Sequence, residues 1–338
     1  MRALSLLAFT ACVPTGSWAS WGTAGGGAGG APGTTQAAAN VPAARPELVA
    51  AGAGRQLQRL TTDGASDELA PHPSPDGKWL LYTSTIERDG ASASRILRSR
   101  IDGRGAIMLT SESGNATSPA WLPSGASFLA VSDAMGGHDI VRMMKVAPHA
   151  ATSRILSDRD VADPGGLAVS PDGTHVAFHC SIGGEWTLAV ARTDGSELTT
   201  LVPGVYPAWS PDSKRLVFHR QVGAQWQLFV TDAEGGELTQ LTEGAIDNAP
   251  AWSPDGKVIA FLSNRGYNRY PDADGSAPTN VFAIRADGSG LVQLTDGNRK
   301  VATPAWGRDG KLYFAANDAG TMDLYRLDVD RAALTSAE

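Results

Sequence analysis

The chain has 338 residues, with 28 Lys and Arg against 35 Asp and Glu, a formal net charge of −7. That balance argues against a phosphate-backbone binder, which needs a basic face. Two cysteines, Cys12 and Cys180, are too few for a disulfide framework or a Cys-based zinc site, and 39 Gly with 20 Pro point to short strands and many turns.

The N-terminus reads as an export signal. "MRALSLLAFTAC" carries one positive charge and then an apolar run too short to span a bilayer. Two processing routes stay open. Cleavage after Ala19 follows the small-x-small pattern of "GSWAS" and makes residues 1–19 the signal. Alternatively, Cys12 behind Phe9-Thr10-Ala11 resembles a bacterial lipobox; the signal then ends at residue 11 and Cys12 is acylated. Residues 20–46, rich in Gly and Ala and almost without charge, have little to bury and are expected to act as a flexible tether.

Residues 47–338 carry a repeat. Asp76, Asp172, Asp212, Asp255 and Asp309 occupy one place in a P/R-D-G/S turn, and Ser124 fills the same slot in a sixth copy. A period of 40 to 54 residues between these positions signals a repeat architecture. In the clearest copy, "APAWS" (249–253), "KVIAFLS" (257–263), "NVFAIRADG" (280–288) and "GLVQLT" (290–295) are four strand-like pieces. The SPDG between the first two is a hairpin loop: Pro254 presets φ, Asp255 bonds its own backbone, and Gly256 takes the left-handed conformation.

In "KVIAFLS" both faces are apolar, so both must be covered. Trp121, Trp209, Trp252 and Trp306 recur just before the turn and are expected to pack between units, with Pro73 and Val169 in their place in the first and third. Trp186 and Trp226 share a second position. Six four-stranded units of this kind predict an all-β, six-bladed β-propeller of antiparallel blades. "RQLQRLTTDG" (55–64) reads as a fourth strand with no unit before it, so residues 55–61 are expected to complete the last blade beside 323–329 and close the ring. The alternative is that "AALT" (332–335) completes that blade itself.

The pattern P-A-W-S-P-D-G-K-x-hydrophobic-A-F-x-S, then D-G, then L-T, closest at 249–263 and 206–220, resembles the WD40-like PD40 repeats of the TolB family over roughly residues 55 to 338. The resemblance implies a propeller in the bacterial envelope, periplasmic or lipid-anchored, that binds an envelope protein or peptide without catalysis. It also implies no nucleic acid, no cofactor, and membrane contact only through a lipid on Cys12; a monomer is expected. Oligogalacturonate lyases are a second kind of similar propeller, and they imply the alternative: an oligosaccharide or other small ligand in the channel, with a divalent cation.

Loops joining strand four to the next strand one, and strand two to strand three, share one face of a propeller. They place Asp67, Glu68, Asp163, Tyr206, Asp247 and Asn248 on the channel mouth as a partner-binding rim. Carboxylates gathered there suit a cation or a basic partner. The longest strand two-to-three loop, residues 264–279, adds Arg265, Tyr267, Arg269 and Tyr270, residue types common at interaction hot spots. Its "DADG" offers Asp272 and Asp274 as calcium ligands, but the later ligands of the EF-hand pattern are missing. His179 and His219, equivalent in neighbouring units, are the other candidate metal ligands; packing is the competing role for both. Cys180 reads as a buried small hydrophobe.

Overall fold

The computed structural model describes residues 56–61, 66–88, 91–110, 114–144, 152–266, 279–295, 300–317, 320–330 and 334. The signal, the tether and loop residues 267–278, with Cys12, Tyr267, Arg269, Tyr270, Asp272 and Asp274, lie outside the described residues. What is described is twenty-four strands in six four-stranded antiparallel sheets.

A short strand β1 (Leu57–Arg59) comes first. Blade one follows as β2 (Asp67–Pro73), β3 (Trp79–Arg88), β4 (Ala91–Arg100) and β5 (Ile107–Met108). Blade two is β6 (Ala116–Trp121), β7 (Ser127–Ser132), β8 (Asp139–Met144) and β9 (Ser153–Leu156). Blade three is β10 (Ala162–Val169), β11 (His175–Ile182), β12 (Glu185–Arg192) and β13 (Thr199–Pro203), and blade four is β14 (Val205–Trp209), β15 (Arg215–Val222), β16 (Gln225–Asp232) and β17 (Thr239–Gln240). Blade five is β18 (Asp247–Trp252), β19 (Val258–Ser263), β20 (Asn280–Arg285) and β21 (Val292–Gln293). Blade six has only β22 (Val301–Trp306), β23 (Leu312–Asn317) and β24 (Met322–Leu327) of its own, and β1 supplies its fourth strand.

The apolar core sits between the blades. Along β19 the side chains alternate: Ile259 and Phe261 join a cluster with Val217 and Leu228 of blade four, while Val258, Ala260 and Leu262 join one with Leu312 and Phe314 of blade six. Each sheet therefore buries both faces against its neighbours. The tryptophans before the turns lie in these seams. Trp121 packs with Leu81 and Ile96 of blade one, and Trp209 with Ala177 and Val190 of blade three. Their indole N–H groups cross the seam as well: Trp121 Nε1 donates to the His72 carbonyl and Trp209 Nε1 to that of Ala168, both at 3.0 Å. An inter-blade position for these residues follows from the repeat, and the structure has it.

The SPDG turns form as the sequence requires. Ser74 Oγ donates to Asp76 Oδ1 (2.6 Å), which also accepts the Lys78 amide (3.1 Å), and Gly77 takes φ of 69°. Ser210, Asp212 and Lys214 repeat the arrangement. The Ser210 hydroxyl, ahead of the Lys214 amide, holds the Asp212 carboxyl below the usual carboxylate range. These aspartates shape turns.

Ring closure is in register with the other blades. The Leu60 amide donates to the Leu324 carbonyl (2.7 Å), as Leu109 does to Ile96, Leu241 to Leu228 and Leu294 to Val281. Thr61 Oγ1 accepts the Leu324 amide (2.9 Å), just as Thr242 accepts that of Leu228 (3.0 Å) and Thr295 that of Val281 (2.9 Å). Arg59 pairs with Asp323, whose carboxylate is buried. The segment before Asp63 thus does for blade six what each L-T segment does for its own blade. Thr61→Val and Thr242→Val should each cost about 1–2 kcal/mol by leaving a buried amide without its acceptor. Urea unfolding should give equal losses for the two, and a silent Thr61 variant would show that the closing strand is not paired in solution.

Candidate functional site

Every innermost strand carries the same irregularity. Three residues before the Trp position, Ala70, Ser118, Gly166, Tyr206, Ala249 and Thr303 have φ between 44° and 58°. At each, two residues of the innermost strand oppose one of the next, as with Tyr206 and Pro207 between the Val205–His219 and Ala208–Val217 pairs. These are six β-bulges in one ring, near the end of the channel where strand four feeds the next strand one. Five of the six are not glycine, and a left-handed conformation costs each about 1–2 kcal/mol. A proline follows in five blades, with Leu167 in its place in blade three. That residue-proline pair ahead of the Trp is the sequence signal that would have located the bulges; hydropathy alternation does not report the sign of φ.

A bulge turns its amide out of the ladder, and that amide needs an acceptor. The Ala70 amide finds Thr303 Oγ1 of blade six at 2.9 Å. In blades four and five histidines of the preceding blade serve: the Tyr206 amide donates to His179 Nδ1 (3.3 Å) and the Ala249 amide to His219 Nδ1 (3.2 Å). Both imidazoles are buried, 5% and 6% exposed. Burial drives both pKa values down to about 3, and for His219 the neighbouring His179 adds to the effect. Both rings are therefore neutral at any working pH. His179 has room because blade three has Gly165 and Gly166 beside it; a Cβ on Gly165 would stand 2.6 Å from its Nε2.

Tyr206 sits between the histidines. Its ring is stacked on His219 at 5.4 Å between centroids and tilted against His179 at 4.9 Å. Trp186 meets His179 edge-on at 5.4 Å and Trp226 meets His219 in the same way at 5.2 Å. Five rings from blades three and four thus form one row, with the half-buried Tyr206 at its middle. The structure brings His179, His219 and Tyr206 together. The histidines do not suit a metal, because the Nδ1 lone pair of each is already taken by a backbone N–H. Among the described residues no three His, Cys, Asp or Glu side chains are grouped to hold an ion.

The other rim residues are spread around the ring. Asp67 is half-buried and accepts the Met322 amide of blade six (2.8 Å); burial raises its pKa. Glu68 is buried. Asp163 is exposed, 3.4 Å from His138 Nδ1, beside an open cleft of about 530 Å³ that Asp133 and Asp158 also line. Asp247 is fully buried, accepting from Ser263 Oγ (2.6 Å) and from Arg265, which also holds the Glu243 carbonyl (2.8 Å). Asn248 beside it is half-buried. Asp247 and Arg265 therefore fix the base of the blade-five loop together. Cys180 is buried in the seam of blades two and three, and burial pushes its thiol pKa up.

The profile of the TolB β-propeller domain, PD40, matches residues 202–269. No curated protein matches the chain in sequence. Among solved structures, a candidate TolB from Agrobacterium tumefaciens is 19% identical with a TM-score of 0.59, over 78% of this chain and 91% of that one. TolB from Acinetobacter baumannii is 17% identical with a TM-score of 0.54; the match covers 83% of this chain but only 65% of that protein. An oligogalacturonate lyase from Vibrio parahaemolyticus is 14% identical, also at 0.54, over 82% and 94% of the two chains. The chain is a TolB-like propeller, and the same fold is found in TolB proteins and in an oligogalacturonate lyase.

The neutral histidines have a consequence for acid stability. The unfolded chain takes up protons on these residues below about pH 6.5, whereas the folded one does so only near pH 3. Stability is therefore full above pH 6.5 and falls as the pH drops from there toward 3, by up to about 1.4 kcal/mol per pH unit for each ring. Unfolding free energies measured from pH 7 to 4 should fall less steeply in His179→Asn/His219→Asn than in the wild type; parallel curves would refute the buried neutral state.

Proposed function

We propose that this TolB-like propeller is a non-catalytic protein of the bacterial envelope that binds a protein or peptide partner at its channel mouth. The observation that carries the reading is Tyr206: a half-buried aromatic ring, on a strained left-handed backbone, fixed on two sides by imidazoles. Strain kept under a surface aromatic is a feature of binding sites. The chemistry around it supports binding over catalysis. His179 and His219 are neutral and already hydrogen-bonded, and Asp247 is spent on Ser263 and Arg265. Asp163, Asn248 and Asp67 form the outer rim in this reading, and Arg265, Tyr267, Arg269 and Tyr270 contribute from the blade-five loop.

The envelope location rests on the apolar N-terminal run and on the TolB likeness, with the Gly/Ala-rich segment giving reach from a lipid on Cys12. The bacterial lipoprotein modification adds several acyl chains, enough for stable anchoring.

The test is cross-linking of the tagged full chain in bacterial envelopes, followed by identification of what it carries. Tyr206→Ala should lose at least about tenfold of a specific partner, and Ile107→Ala, on an outer strand, should lose none. A partner retained equally by both would remove the site from the channel mouth. Fractionation of Cys12→Ala should show the protein moved from membrane to soluble fractions; unchanged retention would refute acylation.

A further inference from the structure

Each seam tryptophan has one polar side-chain atom, the indole N–H. Trp121 and Trp209 give theirs to a carbonyl of the preceding blade's innermost strand, that of His72 or Ala168, at 3.0 Å. Trp252 and Trp306 stand in the same repeat slot, yet both of their Nε1 atoms are buried without a partner among the described residues. A buried donor left unpaired destabilises by more than a paired one contributes. The two exceptions flank one sheet. Trp252 packs blade five on blade four, and Trp306 packs blade six on blade five.

The same blade is loosely held at the face opposite the mouth. At that face the strand three-to-four turn of one blade lies against the fourth strand of the blade before it, and a glycine makes the approach possible. A Cβ on Gly103 or Gly195 would collide with the Leu60 or Ile155 carbonyl, and one on Gly235 would stand 3.1 Å from Leu201 Cβ. Gly288 of blade five stands back: its Cβ would lie 3.6 Å from the Leu241 carbonyl oxygen. An open space of about 150 Å³, lined by Arg215, Asp232, Leu241 and Ala286, separates blades four and five there. On the other side blade six has no such turn, because β1 supplies its fourth strand. A residue near the chain end packs there: Leu334, 4% exposed, joins the cluster of Leu294 and Tyr325, and its carbonyl accepts from Arg285 Nε (3.2 Å). At the mouth both seams of blade five are bonded. The Ala249 amide donates to His219 (3.2 Å), and Thr279 Oγ1 donates to the Val301 carbonyl (3.1 Å) and accepts the Val301 amide (3.3 Å).

We propose that blade five is a built-in opening unit: it parts from blades four and six at the face opposite the mouth, pivoting on the Ala249–His219 and Thr279–Val301 contacts, while the other blades stay closed. Sub-global opening starts where the contacts that resist it are fewest. Here three separate departures from the repeat fall on one sheet: two unpaired indoles, a turn that stands off its neighbour, and a single leucine near the chain end in place of a hairpin turn. The inference is independent of what the mouth binds.

Hydrogen exchange of the full chain at pH 7 tests this without any variant. The Ile259 amide should exchange about tenfold or more faster than its equivalents in blades two and three, Phe128 and Val176. Within blade five, Ile259 and Ile284, near the turns, should lose protection before Phe261 and Phe282, nearer the pivots. In ¹H–¹⁵N spectra the indole N–H groups of Trp252 and Trp306 should exchange faster than those of Trp121 and Trp209. Two sets of variants add to this. Trp121→Phe and Trp209→Phe each remove a bonded N–H and should lower the urea midpoint more than Trp252→Phe and Trp306→Phe do. Leu334→Ala should speed exchange in blade five and leave blades two and three unchanged. Equal protection of all six blades would overturn the proposal, as would exchange that begins at β1 and β24, or a Leu334→Ala effect spread evenly around the ring.

Discussion

The structure depends on sheets that are apolar on both faces. A blade such as β18–β21 cannot stand in water alone, because Val258, Ala260 and Leu262 on one side and Ile259 and Phe261 on the other both need cover. A ring supplies cover to every blade without leaving a terminal one exposed. That makes the last seam as demanding as any other. Leu69, Leu80 and Tyr82 of blade one must meet Tyr313, Ala315 and Leu324 of blade six, and β1 ties the two ends of the chain across that seam. The Thr61 and Leu60 bonds reproduce those inside the other blades, so closure takes no special geometry, only a repeat cut at one point and shared between the two ends.

The same crowding creates the site. Six innermost strands converge on the axis, and each bends through a bulge close to the mouth. A bulge leaves an amide outside the ladder, and burial makes an acceptor obligatory. Different blades meet this one demand with different chemistry, a threonine hydroxyl for Ala70 and imidazoles for Tyr206 and Ala249. Where histidine is used, satisfying the backbone also sets the tautomer and presents a donor.

Much of the fold was legible because it is written in period and alternation. The turn spacing gave six units, the two-faced strand gave packing between them, and the unmatched L-T segment at 60–61 gave the closing strand. The site was less legible. Asp247 reads as a loop carboxylate because it follows "EGAI", yet Ser263 at the end of the next strand and Arg265 just past it hold it buried; that pairing needs the hairpin's register, which one sequence does not state. His179 and His219 were visible as equivalent positions, but which nitrogen faces a backbone amide depends on the sign of φ at Tyr206 and Ala249. Proline behind those residues was the available clue.

Repeat symmetry is broken most clearly in blades three and four. Positions equivalent to the two histidines hold Thr83, Val131, Leu262 and Ala315 in the other blades, so imidazole is not what the propeller needs for closure. Trp186 and Trp226 likewise recur only in blades three and four, edge-on to those rings. Gly165 and Gly166 are the third departure: they clear space that every other blade fills with a side chain at the residue before the bulge, and they do so beside His179. Three deviations from the repeat fall on one seam and touch one another around Tyr206. The glycines make room for His179, the histidines accept the bulge amides and the tryptophans meet the rings edge-on, so the three departures form one packing unit that the other seams close without.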